Sequence, residues 1–252
     1  MTILFRLFAW PQRLLLIGPG VGTDNHRHHA AQLCLGLEAP LRMRAAEDQA
    51  WQQAPGFFVT ADQPHQLDAG TRPTAFLYLE ADSGECRRLA QHHAGGISPL
   101  GRPGYLPLLQ ALAADGRPDQ AEAALAAMLG DDAPGTPAPL DPRIARSLAW
   151  IGEHLGMPVR IADVAQAVHL SESHFAHLFS EQVGVPLRRY VLWRRLREAL
   201  GCAMRGGSLT AAAHGAGFAD SAHLSRAFRD HFGVAPSFLF EQRARIAYTA
   251  FN

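Results

Sequence analysis

Three histidines near the amino terminus have side chains and spacing that could hold a metal ion. His26 and His28 lie in "DNHRHHAAQL", and His65 follows in "DQPHQLDAG". In an extended strand, residues i and i+2 share a face, so His26 and His28 present their imidazoles together and His29 points away. A third imidazole from another strand would complete a site for iron, zinc or manganese. The same rings could instead line the cavity of a small-molecule sensor or cap strand ends. The surrounding sequence favours this second use, with no cofactor. No nucleophile–base arrangement is apparent. The run Gly18–Gly22 precedes no helix and reads as a turn rather than a phosphate cradle.

A second set of residues points to a polyanion. All 23 basic residues are arginine, and the net charge of zero conceals an asymmetry. Residues 1–140 hold 10 Arg against 14 acidic residues, whereas residues 141–252 hold 13 Arg against 9. A basic back half is the electrostatic footprint of a nucleic-acid partner. Within it, "HFAHLFSEQVG" (174–184) and "HLSRAFRDHFG" (223–233) repeat one amphipathic pattern.

Each copy belongs to a longer unit. A short Ala-rich helix ("ADVAQAV" or "TAAAHGA") leads to a turn at His169-Leu170 or Gly217-Phe218. Ser171 or Asp220 then offers an N-cap to a second helix, which ends at Gly184 or Gly233. The early helices align at an offset of 48 and the later ones at 49, so the second turn is one residue longer. Two short helices joined by a tight turn, the second polar outside, make a helix-turn-helix, whose second helix fits the major groove. Between the units, "LRRYVLWRRLREALGCAM" (187–204) reads as a linking helix. Its buried side would be Val191, Leu192, Leu196, Ala199, Leu200 and Ala203, with Arg188, Arg189, Arg194, Arg195 and Arg197 on its wet side.

With those residues in view, 141–245 resembles the DNA-binding domain of AraC/XylS-type transcription regulators. That family joins two helix-turn-helix units by a long helix. The second unit carries the family pattern at Ala213, Gly217, Phe218, Asp220, Leu224, Arg226, Phe228, Gly233 and Pro236, and departs from it at Ala212, Ala222 and Arg229. The first unit supplies Ala165, Leu170, Ser171, Ser173, Phe175, Phe179, Gly184 and Tyr190. The resemblance implies that bases are read by Ser173, Ala176 and His177 in the first unit and by Ser221, Ala222, Ser225 and Arg226 in the second. Arg226 has the fork that can engage guanine O6 and N7 together. Arg188, Arg194, Arg195 and Arg229 are expected on phosphates. The first unit is the weaker reader, since Ala176 offers only a methyl group. The resemblance also implies double-stranded DNA, a small-molecule effector, a second copy of the chain and RNA polymerase as partners. Activation versus repression is left open.

The fold class expected is α+β in two domains. Residues 1–83 read as a small cupin-like β-barrel, built from "RLLLIG", "AAQLCLGL", "LRMRA", "GFFVT" and "AFLYLEA" between turns. A cupin-like sensor commonly precedes the AraC-type domain, but the acid expected after the histidine pair is missing between Ala30 and Leu37. Residues 84–129 read as helices that could pack on the sheet or form a dimer seam. Residues 130–140 are a Pro/Gly/Asp linker, and 141–252 form the DNA-binding domain, in which Asp141-Pro142 caps and opens a helix ending at Gly156. No apolar run reaches the roughly 20 residues of a membrane span. The opening "MTILFRLFAWPQRLLLIG" reads as strand-like rather than as a signal peptide, and Cys34, Cys86 and Cys202 form no disulfide framework, so a cytoplasmic location is expected. Two other readings compete with the regulator. A cupin-type metalloenzyme leaves the duplicated units unexplained. A non-catalytic partner-binding adaptor would need a DNA domain that has lost its specificity.

Overall fold

A computed structural model of the chain describes residues 4–93, 95–130, 139–237, 240 and 245–251. The chain folds as two compact units, Met1–Thr136 with Gln242–Asn252, and Pro137–Glu241. The architecture is α+β, β-rich in the first unit and helical in the second. The predicted linker falls mainly on residues 131–138, which lie outside the described residues.

The first unit contains β1 (Phe5–Trp10), β2 (Arg13–Pro19), β3 (Ala30–Gly36), β4 (Leu41–Arg44), β5 (Gln52–Ala54), β6 (Gly56–Val59), β7 (Gln66–Asp68) and β8 (Pro73–Glu80). It continues with α1 (Gly84–His92), β9 (Ile97–Leu100), α2 (Leu106–Asp115) and α3 (Pro118–Leu129), and closes with β10 (Ile246–Ala250). The larger sheet has the order β10-β1-β2-β8-β3-β6-β9, and the smaller one β5-β4-β7. β3 lies between β8 and β6 and is buried along its whole length, its run apolar but for Gln32. Its Cys34 lies between Phe57 of β6 and Phe76 of β8.

The helices following β9 pack on this sheet. Leu106, Leu109, Leu112, Ala121, Ala124, Leu125 and Met128 join Leu33, Leu35, Leu77 and Leu79 in one cluster. That decides between the two uses the sequence allowed, because the main apolar faces of α2 and α3 are inside the unit. Full burial of each leucine contributes roughly 2 kcal/mol relative to exposure. Trp10 fixes the seam from the sheet side, donating its indole N–H to Glu122 Oε1 at 2.8 Å.

Two assignments differ from expectation. Residues 84–129 are not wholly helical, since Ile97–Leu100 adds a strand beside β6. The second domain does not extend to residue 252. "IAYTA" is rich in β-formers and runs parallel to β1, pairing Phe5 with Ile246 and Ala9 with Ala250. Phe251 then stacks on Trp10 at 4.6 Å.

The second unit contains α4 (Pro142–Glu153), α5 (Ile161–Ala167), α6 (Glu172–Val183), α7 (Leu187–Met204), α8 (Leu209–Gly215) and α9 (Ser221–Phe232). Pro142 sits in the first turn of α4, and Asp141 accepts from the Arg143 backbone N–H at 2.8 Å. α4 ends at Glu153, short of the expected Gly156. α7 is not the simple amphipathic rod that its arginines suggested, because both helix pairs pack against it. Its Tyr190 meets Phe179 of α6 edge-on at 5.6 Å, and its Trp193 meets Phe232 of α9 at 5.8 Å. Tyr190 and Trp193 are therefore core residues, each 1% exposed, while Leu192 is only half-buried.

Candidate nucleic-acid interface

Each helix pair is built by the same local chemistry. α5 gives way to α6, and α8 to α9, through a residue with positive φ: His169 at 59° in the first pair and Gly217 at 77° in the second. The next residue in each turn bonds back to the short helix. Leu170 N–H donates to Ala165 O and Phe218 N–H to Ala213 O, both at 2.9 Å. The second helix then starts on a capped end. Ser171 Oγ accepts from His174 N–H at 3.4 Å, and Asp220 Oδ1 accepts from His223 N–H at 2.6 Å. Gly184 and Gly233, both left-handed, end α6 and α9. The inner faces bury Phe175, Phe179 and Val183 in α6, and Leu224, Ala227 and Phe228 in α9.

Burying those faces leaves the expected base readers outside. Ser173 and His177 are exposed on α6, with Ala176 half-buried beside them. Ala222 and Arg226 are exposed on α9, with Ser221 and Ser225 half-buried. The two second helices open onto a shared surface. Ala176, Ser180 and His223 line one groove of about 660 Å³ with Arg188. Beyond it, Ala222, Ser225, Arg226 and Arg229 line a second hollow of about 530 Å³ with Pro236. α7, 18 residues long, spans roughly 27 Å. That is comparable to the ~34 Å separating successive major-groove sites.

In the first unit the three histidines do come together. His26 and His65 form an isolated antiparallel bridge through two backbone hydrogen bonds of 2.9 Å. Their ring centroids are 4.3 Å apart, and His28 stands 5.8 Å from His26 and 5.0 Å from His65. All three are buried, and one ligand atom from each lies within 4.8 Å of the others. Each Nδ1 faces a backbone carbonyl: His26 to Asp24 at 2.9 Å, His28 to Ala30 at 2.7 Å and His65 to Gln63 at 2.9 Å. Burial lowers the pKa of His28, and burial together with the neighbouring rings lowers that of His65 well below the ordinary range. His29 points elsewhere, its Nδ1 3.1 Å from Asp62 Oδ1.

Gln32 and Tyr78 belong to this cluster and were not expected there. Gln32 Oε1 is 2.9 Å from His28 Nε2. Gln32 also hydrogen-bonds Tyr78, whose ring meets His28 edge-on at 5.2 Å. The sequence did carry a signal: one amide in the otherwise apolar run "AAQLCLG", four residues after His28.

The comparisons with known proteins bear on the helical unit. Residues 164–242 match the family model for a helix-turn-helix domain. The regulatory protein PocR of Salmonella typhimurium is 29% identical over 101 residues, which is 40% of this chain and 33% of PocR. The arabinose operon regulatory protein of Escherichia coli is 32% identical over 101 residues, 39% of this chain and 35% of that one. The helical unit is an AraC-type DNA-binding domain. The chain thus spans about a third of the length of the curated relatives it matches. Over 91% of this chain and 98% of the other, ToxT from Vibrio cholerae is similar in fold, with a TM-score of 0.61 at 10% identity.

Within the AraC-type domain the four arginines expected on phosphates divide. Arg188 and Arg229 are exposed on the side of the grooves. Arg195 also lines the first groove, half-buried, but its guanidinium is tied to the domain itself. Its Nε donates to Leu155 O at 3.1 Å and its Nη2 to Met157 O at 2.6 Å, which closes the loop after α4. Arg194 donates to Tyr190 Oη at 2.9 Å and lies over the same ring at 5.8 Å. Gly217 packs against this internal arrangement: a Cβ there would stand 2.6 Å from Leu155 O and 3.1 Å from the Arg195 guanidinium.

Proposed function

We propose that the chain is a sequence-specific transcription regulator that reads double-stranded DNA with α6 and α9 and is controlled by an effector in the first unit. The observation carrying this reading is that two matched helix pairs, joined by α7, present Ala176 and His223 to one groove and keep Arg226 exposed. Arg226 reads guanine, with Ser221, Ala222 and Ser225 around it, while Ser173, Ala176 and His177 make the weaker contribution of the first unit. Arg188 and Arg229 hold phosphates and set the register. Among the described residues no helix is long and apolar enough to cross a membrane.

A small-molecule effector, a second copy of the chain and RNA polymerase complete the partners in this reading. Because the main apolar faces of α2 and α3 are buried on the sheet, a dimer would use their outer residues, of which Leu108 is 43% exposed. Selection of bound sites from random duplexes tests the reading. The expected site has two half-elements about one helical turn apart. Binding without sequence preference would instead favour the adaptor reading.

A further inference from the structure

The first unit carries a second chemistry that the DNA-reading function leaves unused. The bridge between His26 and His65 and the i, i+2 spacing of His26 and His28 bring three imidazoles to one buried point. In each ring Nδ1 faces a backbone carbonyl, so the proton sits there and the lone pair falls on Nε2. That orientation is the one metal-ligating histidines have: the far nitrogen hydrogen-bonded to a carbonyl, the near one turned to the ion.

His28 sharpens the argument. Its two nitrogens face two carbonyl oxygens, Ala30 O at 2.7 Å and Gln32 Oε1 at 2.9 Å. A neutral imidazole has one N–H and can satisfy one of them. With that proton on Nδ1, the Nε2 lone pair faces Gln32 Oε1, and a metal ion there would accept the lone pair and the oxygen at once. We propose that His26, His28 and His65 bind a divalent first-row transition metal through Nε2, with Gln32 Oε1 as a fourth, neutral donor, and that this ion is the effector.

The donor set decides the ion class. Imidazole suits zinc, iron, nickel and copper, and a set without carboxylate or water-rich oxygen donors disfavours magnesium and calcium. Metal–nitrogen bonds of roughly 2.1 Å would draw the ligand atoms, now within 4.8 Å, to about 3.4 Å from one another. Gln32 is the link outward, since its amide also holds Tyr78 on β8.

The effector role rests on the regulator reading, whereas occupancy does not, and the test separates them. The full chain is stripped with chelator and titrated calorimetrically with Zn2+, then with Co2+ followed by its visible ligand-field bands. One equivalent per chain and tetrahedral Co2+ bands are expected. H26Q/H65Q should weaken Zn2+ at least 100-fold, unfold thermally at the midpoint of the metal-stripped wild type, and lose the change in affinity for a selected duplex that Zn2+ produces in the wild type. Q32E should tighten Zn2+ at least tenfold by adding an anionic ligand, a gain that a destabilised variant would not show. Equal Zn2+ binding by H26Q/H65Q, or none by the stripped wild type, overturns the site. Zn2+ bound at this site with no change in duplex affinity overturns the effector role alone. Absence of any selected duplex would sink the regulator reading and leave the metal result standing.

Discussion

His169 and Gly217 occupy the same step of their two turns, each followed by a residue whose N–H returns to the short helix at 2.9 Å, yet only one of them is glycine. A side chain in the left-handed region costs roughly 1–2 kcal/mol, part of which glycine would return as chain entropy in the unfolded state. H169G is therefore expected to stabilise the second unit by about 1 kcal/mol in urea unfolding. G217A should destabilise it by more than about 2 kcal/mol, because the added methyl meets Leu155 O and the Arg195 guanidinium as well as the unfavourable φ. Equal effects at the two positions would show that the turns are not equivalent.

The arginines of the DNA face should separate by the kind of information they carry. R226A is expected to cost about 1–3 kcal/mol at a single base position and to relax the preference there, as read from a panel of duplexes with one substitution each. R188A and R229A should weaken all duplexes alike and lower the slope of log affinity against log salt by about 1 each. A uniform loss in R226A would reassign it to phosphate.

Arg195 should behave as a structural residue. Removing it leaves Leu155 O and Met157 O without their donor, at an expected cost of about 2 kcal/mol. R195A should lower the thermal midpoint of the second unit and leave the salt slope of the surviving DNA complex unchanged. A lowered slope with an unchanged midpoint would return Arg195 to the phosphate backbone.

Asp141 makes the second unit sensitive to acid. The Arg143 guanidinium and the Arg143 backbone N–H hold its carboxyl at about 2, below the ordinary aspartate value of about 3.9. On acidification the unfolded chain takes up this proton first. The stabilising contribution is therefore complete above about pH 4 and is lost as pH falls through about 2. D141N keeps a capping side chain but has no charge to lose. The difference in thermal midpoint between wild type and D141N should shrink from pH 5 to pH 2.5, and a constant difference would contradict the assignment.

Much of this molecule was legible in the residues. The duplicated helices, their caps at Ser171 and Asp220, and the longer second turn follow from local chemistry that short segments carry by themselves. The five strands read from apolar runs coincide with β2, β3, β4, β6 and β8, for the same reason. What was missed depends on partners distant in sequence. β10 is a strand because β1 offers it an edge, and Arg195 is committed to Leu155 O and Met157 O because those residues end a loop beside it. Gln32 follows His28 by four residues, yet its importance appears only when His65 is bridged to His26.

β10 imposes an order on how the chain matures. During synthesis β1 emerges well before the segment that pairs with it, since Phe5 meets Ile246. Until then the outer hydrogen-bonding groups of β1 stay open, beside a Trp10 ring not yet covered by Phe251. The whole helical unit is synthesised in the meantime. A chain cut before Ile246 would thus keep an open β1 edge in its first unit, a form exposed to aggregation and proteolysis.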